Sequence, residues 1–112
     1  MNHYLVKIKM VLSSYEKHVR YIVLAWDEAQ AQATAIYAEC HNTDAIEWRG
    51  IDEASDGGEF IYRTYGAAIL PQKEIATLSK YLPTFAFNLE DMKDSGIFEQ
   101  LEIIHFKRGW HV

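Results

Sequence analysis

Residues 3–12 (HYLVKIKMVL) and 17–26 (KHVRYIVLAW) decide the fold of this chain, because both runs have the composition of β-strands. Only residues 13–16 separate them, a length typical of a β-hairpin loop. Side chains alternate between the faces of a strand, so a sheet with one face in water shows alternating apolar and polar residues. Here Leu5 and Val11 lie on the same face as Lys7 and Lys9, so both faces of the strand carry apolar side chains. The pattern predicts a sheet whose second face is also covered, by a subunit, a ligand or a partner.

A helix is predicted to run from about Asp27 to about His41. Asp27 stands at the N-cap position, and Gln30 can return the hydrogen bond as in a capping box. Asn42 is expected to end the helix in a left-handed conformation. Polar residues occupy one side of this helix. Apolar residues recur at three- and four-residue spacing on the other side and predict a buried stripe: Ala29, Ala33, Ile36, Tyr37 and Cys40.

Glycine and proline divide the second half of the chain. Gly57 and Gly58 can take the positive φ of a hairpin turn, which is expected over residues 52–58. Pro71 suits the first turn of a second helix, and Pro83 ends that helix. The other predicted elements are strands at residues 45–51, 59–65 and 99–107, with an irregular segment at residues 84–98 between the second helix and the last strand.

The predicted order of elements is ββαββαβ, in one α+β domain that spans residues 1–112. Without its first strand this order is βαββαβ, the arrangement of ferredoxin-like folds. We therefore expect a ferredoxin-like layer with an extra N-terminal strand, in which the sheet is mostly antiparallel and the helices lie on one face. A double-stranded-RNA-binding-like or cystatin-like layer would use many of the same elements.

Length and composition indicate a globular domain in a reducing compartment. The chain has 112 residues, of which 49% are hydrophobic and 13% aromatic. Its single cysteine, Cys40, cannot form an internal disulfide. The longest apolar run, residues 21–26, is far shorter than the ~20 residues that a membrane span needs, and the N-terminus lacks the pattern of a signal peptide. A cytoplasmic location without membrane association is the resulting expectation.

Charge is unevenly distributed along the chain. The net charge is −5. Residues 1–25 carry four basic residues and one carboxylate, whereas residues 26–60 carry one arginine and nine carboxylates. Nucleic-acid binding usually requires a basic domain or stripe, so the acidic balance disfavours it. It stays as a third alternative, using basic residues on adjacent strands: Lys7, Lys9, Lys17, Arg20, Lys107 and Arg108.

No motif in the sequence indicates catalysis or metal binding. The five histidines are not spaced at i, i+4 on a helix or at i, i+2 on a strand, so none forms a two-histidine motif. Cys40 and His41 point about 100° apart on a helix and do not face each other. Gly57 and Gly58 lack the strand and helix that flank a phosphate-binding loop. We predict no catalytic residue, no metal ligand and no cofactor.

Aromatic side chains are the remaining functional signal. Tyrosine and tryptophan combine an apolar ring with a polar tip, which suits interfaces and ligand pockets. The candidate interface or pocket residues are Tyr21, Trp48, Tyr62, Tyr65, His105 and Phe106.

The sequence as a whole predicts a small binding or interaction module and not an enzyme. A homodimer through the uncovered sheet face or an edge strand is expected, because burial of apolar surface yields ~25 cal/mol per Å². A protein partner or a small apolar ligand is the other kind of occupant considered. The alternative is a ligand-binding protein or small enzyme with an aromatic-lined pocket between helices and sheet.

Overall fold

The computed structural model describes residues 1–97 and Leu101. All six strands of this part of the chain belong to one sheet, and the helices are short apart from the first. The elements are β1 (Asn2–Leu12), β2 (Tyr15–Ala25), α1 (Glu28–Glu39), β3 (Ile46–Trp48), β4 (Glu53–Asp56), β5 (Phe60–Ile69), α2 (Gln72–Leu78), β6 (Thr84–Ala86) and α3 (Leu89–Met92), with 3₁₀ turns at Thr43–Ala45 and Lys93–Ser95.

The predicted N-terminal hairpin is present and forms the centre of the sheet. Strands β1 and β2 pair antiparallel over their whole length, with Val6 opposite Tyr21. The turn between them is tighter than predicted, and Ser13 takes a positive φ of 54° there. Strand β1 also pairs antiparallel with β5, and the strand order is β3-β4-β5-β1-β2-β6. The longest strands are therefore neighbours, with β1 between its two partners.

An irregularity in β5 increases the curl of the sheet. Val6 lies opposite Ala67 and Ile8 opposite Thr64, so two residues of β5 face Lys7 alone. Such a bulge bends its strand and increases the local twist. Gly66, inside the bulge, has a φ of 87°, which strains any residue with a β-carbon. The sheet curls into a half-barrel, whose concave side we call the inner face and whose convex side we call the outer face.

Helix α1 begins where the sequence predicts. The Gln30 N–H donates to Asp27 Oδ1 at 2.8 Å, which confirms Asp27 as the N-cap. The Gln30 side chain accepts from the Trp26 N–H at 3.0 Å, one residue earlier than in a capping box. The helix ends at Cys40, one residue before the predicted end at about His41. The predicted left-handed conformation of Asn42 is wrong, because Asn42 is extended with a φ of −135° and caps the following 3₁₀ turn by accepting from the Asp44 N–H.

The inner face of the sheet encloses α1 much more completely than the predicted stripe requires. Ala31 and Ala35 pack on β1 and β2, and Ile36 packs against Tyr62 of β5. Ala29 and Ala33 belong to a second cluster on the opposite side of the helix. Its other members are Ile51, from the connection between β3 and β4, and three residues that follow the sheet: Met92, Ile97 and Leu101. Gln32 and Thr34 are buried as well, so the helix has no broad polar side.

The ferredoxin-like prediction is wrong. That fold requires two βαβ units in one layer with both helices on the same face. Here residues 53–56, predicted as a turn, form β4, and residues 84–86, predicted as irregular, form β6 parallel to β2. The result is a mixed six-stranded half-barrel with α1 inside it. The α+β composition of the described residues is confirmed.

Connection handedness places α2 on the outer face. The crossover from β2 through α1 to β3 and the crossover from β5 through α2 to β6 run in opposite directions across the sheet. Because both join parallel strands and such crossovers are right-handed, their helices lie on opposite faces. Ile22 points away from α1 and is 0% exposed, so this end of the outer face is covered. Leu5 and Leu24, on the same face, are partly buried.

The last part of the described chain packs over α1. Phe87 lies against two core clusters, and Met92 and Ile97 are buried beside Ala33. The predicted last strand, residues 99–107, falls outside the described residues apart from Leu101, which is helical and buried.

Replacement of Ile36 by alanine is expected to reduce the free energy of unfolding by ~2–5 kcal/mol, because the variant leaves a cavity between α1 and the sheet. Ile36 is fully buried beside Tyr62. Chemical denaturation followed by circular dichroism measures the change. Ile69→Ala is the matched control, since Ile69 is 60% exposed and should change stability by less than ~0.5 kcal/mol. Equal effects of the two variants would contradict the enclosed position of α1.

Candidate binding surface on the outer sheet face

Basic side chains and one tyrosine cover the outer face where α2 leaves it exposed. The register places Lys7 opposite Arg20, and it places Lys9 between His18 and Arg63. Tyr65 projects from the bulge of β5 and is 59% exposed. We call this surface the cationic face and define it as three neighbouring pairs, one from each central strand: Lys7 and Lys9, His18 and Arg20, and Arg63 and Tyr65.

Carboxylates neutralise one end of the cationic face. Lys9 Nζ lies 3.1 Å from Glu16 Oε1, and His18 Nε2 lies 3.5 Å from the other oxygen of Glu16. The hydrogen bond and charge of Lys9 lower the pKa of Glu16, and Glu16 raises the pKa of Lys9. Arg63 Nε donates to Glu53 Oε1 at 2.5 Å. Lys9 and Arg63 therefore each have a carboxylate partner within the chain, and Glu53 is shared with Arg49 at 3.7 Å.

Lys7 and Arg20 differ from the other cations of this surface. Both are exposed, and among the side chains that the structure describes neither has a carboxylate within 4.0 Å. They lie directly opposite each other on β1 and β2. Like charges in directly opposite positions destabilise a pair of strands. The sheet thus holds two adjacent positive charges that the described part of the chain does not compensate.

A shallow depression lies among these side chains on the outer face. Lys7, His18, Arg20 and Tyr65 line it, and its floor is the backbone pair Ile8 and Val19 of β1 and β2. Its volume is about 210 Å³. The side chains around it supply an ammonium, a guanidinium, an imidazole and a phenol. The ammonium, the guanidinium and the imidazole can donate hydrogen bonds, so the depression is chemically suited to an anion, and the phenol adds an exposed ring beside it.

The candidate aromatic residues do not form a common pocket. Tyr62 is completely buried, and Trp48 packs in the same core cluster while its Nε1–H donates to Ser95 Oγ at 3.2 Å. The Tyr21 ring meets Phe85 edge-on, with 5.0 Å between ring centroids. Of the described candidates only Tyr65 belongs to the cationic face. His105 and Phe106 lie outside the described residues.

A buried polar network accounts for the residues around Cys40. The His41 N–H donates to Tyr62 Oη at 2.8 Å, and the Tyr62 hydroxyl donates to Asp56 Oδ2 at 3.2 Å. Burial raises the pKa of Tyr62 and also that of the Cys40 thiol. A thiol that stays protonated is a poor nucleophile. The network anchors the C-terminal end of α1 to β5.

Lys17 contributes to a second network and not to the cationic face. Its position opposite Met10 turns it to the inner side, where its Nζ lies 3.1 Å from Glu39 Oε1. The Tyr21 hydroxyl donates to the other oxygen of Glu39, and burial together with Glu39 raises the pKa of Tyr21. Glu39 is therefore held by two donors, and these contacts secure the end of α1 against β2.

Sequence reasoning found part of the cationic face. It grouped Lys7, Lys9 and Arg20 as a basic surface, but it also included Lys17, and it did not place Arg63 or Tyr65 beside them. Lys107 and Arg108 lie outside the described residues. The signal that could have found them is a pair of polar side chains two residues apart, on the same face of a strand. Such a pair occurs in β1, β2 and β5, at positions 7 and 9, 18 and 20, and 63 and 65. That spacing becomes informative only when the pairing of β5 with β1 is known.

Comparisons with protein-family models, with curated proteins and with solved structures give no match to this chain. Within residues 1–97 and 101, no helix is both long and apolar enough to cross a membrane. The same residues contain no group of three histidine, cysteine or acidic side chains placed to hold a metal ion.

Thiol-blocking reagents are expected to modify Cys40 slowly in the folded protein. The thiol is partly buried and packs near Tyr62, and its pKa is raised, so little thiolate forms near neutral pH. The rate of alkylation should increase with pH around a midpoint above that of a free cysteine. Mass spectrometry of native and unfolded samples measures both rates. Native modification as fast as that of the unfolded chain would contradict this and would reopen a nucleophilic role.

Proposed function

We propose that this protein is a binding module, and not an enzyme, whose cationic face holds an anionic group of a partner. Lys7 and Arg20 supply the charge, and Tyr65 supplies an exposed ring beside them. The cytoplasm is the proposed location, on the basis of a single cysteine and the rarity of disulfides in that compartment.

The observation that carries the proposal is the uncompensated pair of cations. Lys9, His18 and Arg63 each have a carboxylate within 4.0 Å, although the chain as a whole is acidic. Lys7 and Arg20 have none among the described residues and face each other across β1 and β2. A functional site often retains an arrangement that costs stability. An anion from a partner would remove the repulsion between the two cations.

The net charge of −5 supports selectivity for the partner. An acidic protein repels polyanions over most of its surface, whereas the cationic face attracts them. Contacts of this kind depend on salt concentration, because the charges are exposed and screened. The acidic background therefore favours a partner that presents a localised negative group over one that is uniformly anionic.

A groove beside α1 favours a second candidate function, the binding of a small apolar ligand. Thr34, Tyr37, Phe85 and Met92 contribute to its walls, and its volume is about 220 Å³. The groove lies between α1 and the edge strand β6 and is mostly apolar, as small-molecule sites are. A hydrophobic fluorescent probe that binds the wild type and is lost in Ala38→Trp, which fills the groove, would support this candidate.

The homodimer stays a prediction. It was predicted because both faces of the strands carry apolar side chains. Ile22, on the outer face, is already buried within one chain. The part that α2 leaves exposed is charged, so an association through it would depend on salt. Light scattering after size exclusion, at low and high salt, measures the oligomeric state directly.

Replacement of Lys7 and Arg20 by glutamine is expected to weaken binding to polyanions without loss of stability. The double variant should elute from a heparin column at lower salt than the wild type. Its free energy of unfolding should stay equal or increase by roughly 0.2–1 kcal/mol, because repulsion between opposite strand positions is removed.

The matched control is the double variant Lys73→Gln and Lys80→Gln, which removes the same charge from exposed positions in and just after α2. It should elute close to the wild type. Equal elution shifts in the two double variants would show a general charge effect and would refute the cationic face as the binding surface.

A further inference from the structure

We infer that the depression between β1, β2 and β5 binds a single phosphate monoester, held between Lys7 and Arg20. This inference rests on the proposed function and names the chemistry of the anionic group. A phosphate monoester carries close to two negative charges at neutral pH and three acceptor oxygens. Its charge matches the two cations of the pair, neither of which has a carboxylate within 4.0 Å among the described residues.

The two cations are complementary in geometry as well as charge. A guanidinium donates two parallel hydrogen bonds to adjacent oxygens, and an ammonium acts as a compact point charge. Lys7 and Arg20 are direct cross-strand neighbours, whose β-carbons lie about 4.5–5.5 Å apart in such pairs. Both side chains line the same depression. The oxygens of one phosphate can therefore accept from both side chains at once.

The limits of the cationic face argue for one phosphate and against an extended polyanion. The face spans two outward positions on each of three strands, roughly 7 Å by 10 Å from the spacings of a sheet. Glu16 and Glu53 bound it on the side of Lys9 and Arg63. On the opposite side the outward residue of β2 is apolar Ile22. A chain of phosphates would soon meet carboxylates or apolar surface.

Tyr65 and His18 complete the depression. Tyr65 lies in the bulge opposite Lys7, so its ring stands next to the proposed phosphate position. An exposed tyrosine ring can stack on a planar group carried by the monoester. His18 offers a ring N–H at the other side of Arg20. Tyr65 contacts the carried group and not the phosphate. It should therefore increase the affinity for a nucleoside monophosphate and leave the affinity for free phosphate unchanged.

The experiment is a titration followed by amide NMR of ¹⁵N-labelled protein, with inorganic phosphate and adenosine monophosphate as separate probes. Saturable shifts are expected at residues 7, 18, 20 and 65. The variant K7Q/R20Q should lose about tenfold or more in affinity for both probes, as expected when a charge-assisted hydrogen bond is removed. The control K73Q/K80Q should keep the affinity of the wild type.

Two further variants test the roles of the individual side chains. R20K keeps the charge but loses the planar fork, so its affinity should fall between those of the wild type and K7Q/R20Q. Y65A should weaken the binding of adenosine monophosphate and leave the binding of inorganic phosphate unchanged, because Tyr65 contacts the ring and not the phosphate. Equal losses for both probes in Y65A would show that Tyr65 contacts the phosphate itself and would overturn its stacking role.

The outcomes separate this inference from the proposed function. Absence of saturable binding by either probe, together with heparin retention that depends on Lys7 and Arg20, overturns the phosphate site and leaves the binding module intact. Tighter binding of a single-stranded oligonucleotide than of either probe, with a slope of log affinity against log salt concentration that corresponds to several neutralised phosphates, also overturns the single site. Loss of both phosphate binding and heparin dependence refutes the two proposals together.

Discussion

The burial of α1 within the curled sheet is the constraint on which the rest of the structure depends. Ala31 and Ala35 of the helix pack against the hairpin of β1 and β2. Because their side chains are small, the backbone of α1 can approach the backbone of the hairpin closely. Ile36 fills the space beside β5, and the segment that follows the sheet packs against Ala29 and Ala33. Because α1 is covered on most sides, the sheet must curl around it, and the bulge at Gly66 contributes to that curl.

This enclosure decides which surfaces can meet a partner. The inner face is occupied by packing, and two polar networks hold the end of α1 against the sheet through Tyr62 and Glu39. The first of these networks accounts for the buried Tyr62 and Asp56 near Cys40. The outer face is divided between an apolar end, where Ile22 is covered, and the cationic face. The candidate site is therefore the part of the outer face that folding does not use.

The bulge in β5 connects the fold to the candidate site. It gives β5 one extra residue opposite Lys7, and Tyr65 is 59% exposed at that position. Bulges frequently redirect side chains next to functional sites. The same irregularity therefore contributes to the curl around α1 and brings an aromatic ring beside the uncompensated cations. A regular β5 would have neither this twist nor this extra residue.

The sequence by itself determined the elements that depend on local interactions. The hairpin of β1 and β2, the Asp27 cap of α1 and the glycine turn at 57–58 were all predictable, because neighbouring residues form them. Only the tertiary structure decided the strand order, the enclosure of α1 and the pairing of residues 84–86 with β2. These depend on contacts between distant residues, whose partners no local pattern specifies. The cationic face follows the same rule, since Lys7 and Arg20 meet through the hairpin, whereas Arg63 and Tyr65 join them only through the distant pairing of β5 with β1.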